Sequence, residues 1–157
     1  RMQLKVFAHY LRTIITEFKM NPNKQKKGRP DRYDADYFPH YCHHSKTLEI
    51  FVDKYGNEGY AFFYRLQEVL GITKGHGYCA TDTLNMSYLC KKTGIKEEER
   101  LKEMIKYLCE LGEIDKKRWE DDEIIWWPNF VEVFKKLYSR RKVDLPTFDV
   151  FNDLGGN

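Results

Sequence analysis

The sequence predicts a mainly α-helical domain that carries one small β-hairpin, and three observations point to that class. Apolar residues recur at helical spacing over several segments, most regularly at Leu101, Met104, Ile105, Leu108 and Leu111. Glycines close those segments: Gly71, Gly75 and Gly77, then Gly94, then Gly112. After Gly112 the pattern changes. Residues 113–119 alternate toward a polar tip at Glu120-Asp121-Asp122, and Ile124, Ile125, Trp126 and Trp127 return as a β-rich run.

Taken in order, residues 3–19 set Leu4, Phe7, Leu11, Ile14 and Phe18 at helical spacing, which predicts an amphipathic helix. Residues 20–35 form a polar, basic linker. Met20 makes a sensible natural start, with residues 1–19 then an extension. Ser45 is placed to cap a helix over 46–55, with Leu48, Phe51 and Val52 facing the core. Tyr55-Gly56-Asn57-Glu58-Gly59-Tyr60 fits a helix stop followed by a helix start, and a second helix runs over about 58–72. Tyr78-Cys79-Ala80 reads as a short strand. Thr81 or Asp82 then caps a helix to about Lys92, and a further helix covers 96–111. After the hairpin over 113–127, Pro128 ends the strand and Asn129 caps a last helix to about Arg141. Helix, short strand, helix, helix and hairpin is the order of a winged helix-turn-helix, here with additional N-terminal and C-terminal helices. The predicted organisation is residues 1–35 as N-terminal helix and linker, 36–142 as the winged-helix domain, and 143–157 as a tail or the start of a linker to a further domain.

Composition narrows the function. A net charge of +3 on 157 residues gives no global nucleic-acid signature, so the distribution of charge decides. Cys42, Cys79, Cys90 and Cys109 lack metal-site spacing, and no apolar run is long enough for a membrane span, which together predict a reduced cytoplasmic protein without membrane attachment. His40, Cys42, His43 and His44 carry ligand chemistry. As near neighbours they do not make a tetrahedral zinc site alone, so His40 reads as a packing histidine and no metal is assigned. His76 in Gly-His-Gly reads as a loop residue. A phosphate-binding GxxxxGK[ST] loop is missing, as is any nucleophile with base and orienter, so neither an enzyme nor a cofactor is expected.

Four constellations remain. Lys24, Lys26, Lys27, Arg29 and Arg32 form a basic arm, and Lys26-Lys27-Gly28-Arg29-Pro30 resembles the core of a minor-groove AT-hook. The helix over 96–111 holds Lys96, Arg100, Lys102 and Lys106, but five acids oppose those four cations. The hairpin holds three cations against six acids, so helix and wing together are poorly suited to reading a duplex. Lys135, Lys136, Arg140, Arg141 and Lys142 place five cations in eight residues with no acid among them, more than a helix end needs for its dipole. Positive charge for DNA phosphates therefore sits on the flanks. Last come Trp119, Trp126 and Trp127. As strand neighbours, Trp126 and Trp127 face opposite ways, so one is outward unless another element covers it, and that one is a candidate protein interface.

The segment from Asp36 to Leu70 resembles the N-terminal domain of phage and prophage replisome-organiser proteins, relatives of the DnaD-like helicase-loading proteins of Gram-positive bacteria. Tyr37, Phe38, His40, Leu48, Ile50, Lys54, Tyr55, Gly56, Gly59, Tyr60, Tyr64, Leu66 and Glu68 carry the match, which with the later helices spans about residues 29–142. Tyr41 departs from it, since an acidic residue often follows the histidine. The resemblance implies a winged-helix domain acting in replication initiation or helicase loading, with DNA, replication proteins and further copies of itself as partners. It also implies that a C-terminal domain follows in a longer protein. Two rivals stand beside this reading: a phage transcriptional regulator reading duplex DNA through residues 96–106, and an oligomerisation module that binds no nucleic acid.

Overall fold

Ser45 opens the first helix of the computed structural model, which describes residues 30–155. Its hydroxyl accepts a hydrogen bond from the Leu48 N–H, satisfying one of the free donors at a helix start. Helix α1 (Lys46–Ile72) is broken at Gly56, where φ 62° and ψ −147° lie in a region that essentially only glycine enters. The break lets both arms turn apolar faces inward. Leu48, Phe51 and Tyr55 are buried on the first arm, and Phe62, Phe63, Leu66, Val69 and Leu70 on the second.

A short 3₁₀ turn (Lys74–His76) leads into strand β1 (Gly77–Cys79). Asp82 caps α2 (Thr83–Thr93) by accepting from the Asn85 N–H at 2.7 Å, and Gly94 ends the helix. Helix α3 (Glu98–Glu110) buries Leu101, Met104, Ile105 and Leu108 at the predicted spacing. Burial of each such side chain is worth about 1.5–3 kcal/mol, so these stripes hold α2 and α3 against the kinked α1.

The predicted hairpin over 113–127 does not form. Its first limb is instead helix α4 (Lys116–Asp122), and β2 (Ile124–Trp126) pairs antiparallel with β1, in the register Gly77 with Trp126, Tyr78 with Ile125 and Cys79 with Ile124. The physical reason is local. The Asp115 carboxylate accepts from the Arg118 N–H at 3.1 Å, and Lys116 and Glu120 lie one turn apart. Seven residues without a β-branched side chain have little to gain from a strand. One backbone bond, from the Asp115 N–H to the Trp126 carbonyl at 2.8 Å, lies where a third strand would continue the sheet.

The last predicted helix is also corrected. Pro128, not Asn129, sets the start of α5 (Pro128–Glu132), because proline's fixed φ suits the first helical position. The chain then tightens at Val133 and Phe134, whose N–H groups bond three residues back to Phe130 and Val131, before α6 (Lys135–Arg141). Residues 143–157, predicted as tail or linker, contain helix α7 (Phe148–Asp153), capped by Thr147. At the other end, residues from Asp31 onward belong to the packed unit rather than to a linker. The Ala35 N–H bonds the Gly71 carbonyl and the Gly75 N–H bonds the Tyr33 carbonyl, both at 2.8 Å. The described residues thus form seven α-helices and one two-stranded antiparallel sheet, a mainly helical α+β fold.

Candidate nucleic-acid interface

Two cations of α3, Arg100 and Lys102, are held by acids of that helix and of its neighbours, while Lys106 is exposed and has no ion pair among the described residues. Arg100 bonds Glu58 at 3.1 Å and Glu103 at 3.1 Å, and its guanidinium lies 4.8 Å from the Tyr55 ring centre. The Tyr55 hydroxyl donates to Glu103 at 3.0 Å; that bond and then Arg100 hold the Glu103 carboxyl below its ordinary range. Lys102 bridges Glu98 at 2.9 Å and Glu123 at 3.3 Å. Lys96 stays exposed. Arg100 therefore ties α3 to the corner between the two arms of α1, and Lys102 separately ties α3 to the end of α4 at Glu123.

The acids predicted to crowd the wing are distributed in the same way. Glu113 accepts the Trp127 indole N–H at 2.8 Å, and Glu123 meets Lys102. All three tryptophans are buried, with Trp119 and Trp126 at 7% and Trp127 at 1% exposure. The outward tryptophan read as a protein interface is accordingly covered. Helix α7 lays Phe148 and Phe151 against Trp126, with ring centres 5.6 and 6.1 Å away, and the Arg118 guanidinium sits 3.9 Å from the centre of Phe148.

On the flanks, Lys24, Lys26, Lys27 and Arg29, with the AT-hook-like run they form, lie outside the described residues. So does the helix predicted over 3–19. Arg32 forks onto Asp34 and Asp36. Arg141 is a clamp: its guanidinium donates to the backbone carbonyls of Arg32, at 3.0 Å, and Asp34, at 2.6 Å, fastening residues 32–35 to α6. Lys135, Lys136, Arg140 and Lys142 are exposed and have no ion pair among the described residues.

Those free cations of α6 do not stand alone. Lys135, Lys136 and Arg140 line a groove of about 540 Å³ together with Tyr37, Pro39 and Tyr41. Phe38 turns inward and meets Phe130 edge-on at 5.2 Å, whereas Tyr37 and Tyr41 are 67% and 64% exposed. The resemblance names Tyr37 and Phe38 side by side and does not distinguish the buried ring from the exposed one. The signal for that division is the spacing of an extended run before a proline, which keeps residue 38 out of the helical region and sends its neighbours outward.

His40 stacks on Tyr64 at 4.0 Å and its Nε2 lies 3.1 Å from the Tyr60 hydroxyl, the packing role read for it. Among the described residues no group of three or more His, Cys, Asp and Glu side chains is placed to hold a metal ion, and the four cysteines form no disulfide. No helix among them is long and apolar enough to cross a membrane. With the geometry in hand, comparison with models of known families, with curated proteins and with solved structures finds no match.

Proposed function

We propose that this chain is a non-enzymatic adaptor of phage-type DNA replication, a replisome organiser or helicase-loading partner working in the bacterial cytoplasm. The process rests on the resemblance carried by residues 36–70, and the DNA-contacting surface rests on one observation. Arg100 and Lys102 of α3 are closed in ion pairs and leave Lys106 as the open cation of that helix, while Lys135, Lys136 and Arg140 of α6 are open together. Phosphate contact draws on cations that need not first abandon a partner, so the reading places DNA on α6 and, with it, on the basic arm at Lys24, Lys26, Lys27 and Arg29.

The same reading treats the core as a variant winged helix. The order α1, β1, α2, α3, β2 and the β1–β2 pairing suit that fold, with α4 standing where the second strand of the wing would be. A variant of this kind lacks the protruding hairpin that grips a phosphate backbone, which agrees with moving DNA to the flank. Replication proteins and further copies of the chain are the proposed partners on the strength of the resemblance.

A binding titration against salt tests the proposal. The intact chain is compared with a chain beginning at Asp31 and with the triple variant Lys135→Gln, Lys136→Gln, Arg140→Gln. Arg141 is left in place because it fastens the N-terminal strap. Each lost phosphate contact lowers the slope of log K against log salt by about 0.9 on duplex and about 0.7 on single strands. Slopes that fall in both altered chains support flank binding. Identical slopes in all three, or no binding at low salt, overturn it.

A further inference from the structure

We infer that the groove between Tyr37, Tyr41 and α6 is a binding site for single-stranded nucleic acid, in which the two tyrosines stack on bases while Lys135, Lys136 and Arg140 hold the backbone. The inference rests on the reading of α6 as a phosphate-contacting surface and adds the class of strand it takes.

Two exposed aromatic rings and three unpaired cations lining one groove supply both halves of single-strand recognition. A base has two π-faces to offer only when it is unpaired, and a positively charged wall alongside follows the backbone. Duplex DNA hides those faces within its stack, so it engages the cations and leaves the tyrosines idle. A protein partner is a poorer fit, because lysine is depleted in protein interfaces and two of the three cations are lysines. The single carboxylate on the groove, Glu132, leaves the balance positive. Val133, Phe134 and Leu137 add apolar surface to the lining.

Tyr41, Pro39 and Val133 also line a second hollow of about 320 Å³, whose polar lining is His43, Ser45, Gln67, Asn129 and the carboxylate Glu113, the last already bonded to the Trp127 indole. A strand stacked on Tyr37 and Tyr41 therefore continues toward groups that can hydrogen-bond base edges. Tyr37 and Tyr41 follow the strap at residues 32–35 that Arg141 fastens to α6, so the chain enters the groove from a fixed point.

The test measures fluorescence anisotropy of a labelled oligothymidine of about 12 nucleotides, within the usual span of such sites, and of a duplex of the same length. The full chain is compared with Tyr37→Ala, Tyr41→Ala, Tyr37→Phe and Tyr41→Phe, with thermal unfolding as a check that these exposed positions leave folding intact. Each alanine is expected to weaken oligothymidine binding by about 5- to 150-fold, the equivalent of one lost base stack. The phenylalanines should retain it, and duplex affinity and salt slope should not change. Oligothymidine binding that depends on Lys135, Lys136 and Arg140 but ignores both alanines overturns the single-strand site and leaves the flank reading standing. A parallel loss on duplex overturns it too. Tyrosine-dependent capture of polyglutamate with no oligothymidine binding overturns both, and replaces the strand by an acidic protein.

Discussion

His76 has no solvent exposure, although a histidine between two glycines reads as a loop residue. Its ring lies against Phe134 at 4.2 Å, its Nδ1–H donates to the Leu70 carbonyl at 3.2 Å, and its Nε2 accepts from the Tyr138 hydroxyl at 2.8 Å. The carbonyl can only accept, which fixes the neutral tautomer. Burial pushes the imidazole down to about 4 from an ordinary 6.5. Between those values the unfolded chain holds the extra proton, so this residue's contribution is full above pH 6.5 and is lost as pH falls toward 4. The expected loss is about 3 kcal/mol, levelling off below pH 4. Urea unfolding of the wild type and of His76→Gln at pH 7 and pH 4 checks this, with the pH difference shrinking in the variant. Arg141 makes the second residue-scale prediction. Arg141→Ala removes two charge-assisted bonds to backbone carbonyls and should cost about 1.5–3 kcal/mol in the same measurement.

Helix α7 shows what one element owes to another. A Cβ on Gly77 would meet Phe151 ring atoms at 2.9 Å, so the strand lies close enough for the ring to cover it only without a side chain there. Gly77→Ala should destabilise the protein by about 1–3 kcal/mol through overpacking. Adding Phe151→Leu, which frees space, should recover part of that loss in thermal melts. If the double variant is no better than Gly77→Ala alone, the contact with Phe151 is not the cause. Little of α7 is legible beforehand. Thr147 is a sound cap, but a six-residue amphipathic turn gains stability only from the Trp126 surface it lands on.

Across the whole molecule, charge is sorted by the company it keeps. Glu58, Glu98, Glu103 and Glu123 pair with Arg100 and Lys102, and α6 is left positive beside two exposed tyrosines. Changing Arg100 and Lys102 to glutamine should therefore leave the salt slope of DNA binding as it was. Stability should shift by about 1 kcal/mol or less for each pair, since these bridges are partly exposed. A slope that drops with that variant would return the duplex-reading helix to consideration.

The helical stripes, the caps at Ser45 and Asp82, the break at Gly56 and the ends at Gly94 and Gly112 were all written in local sequence, because spacing and backbone conformation are local properties. The clustering of cations at 135–142 was legible for the same reason. Only the tertiary structure decided what each charge and ring would meet. It paired β2 with β1 across the 44 intervening residues instead of folding a hairpin. Trp126 was closed under α7, and Arg141 became a clamp rather than a free cation. Tyr37 and Tyr41 were set in one groove with Lys135 and Arg140. Those outcomes depend on partners distant in the chain, and neither periodicity nor composition carries that information.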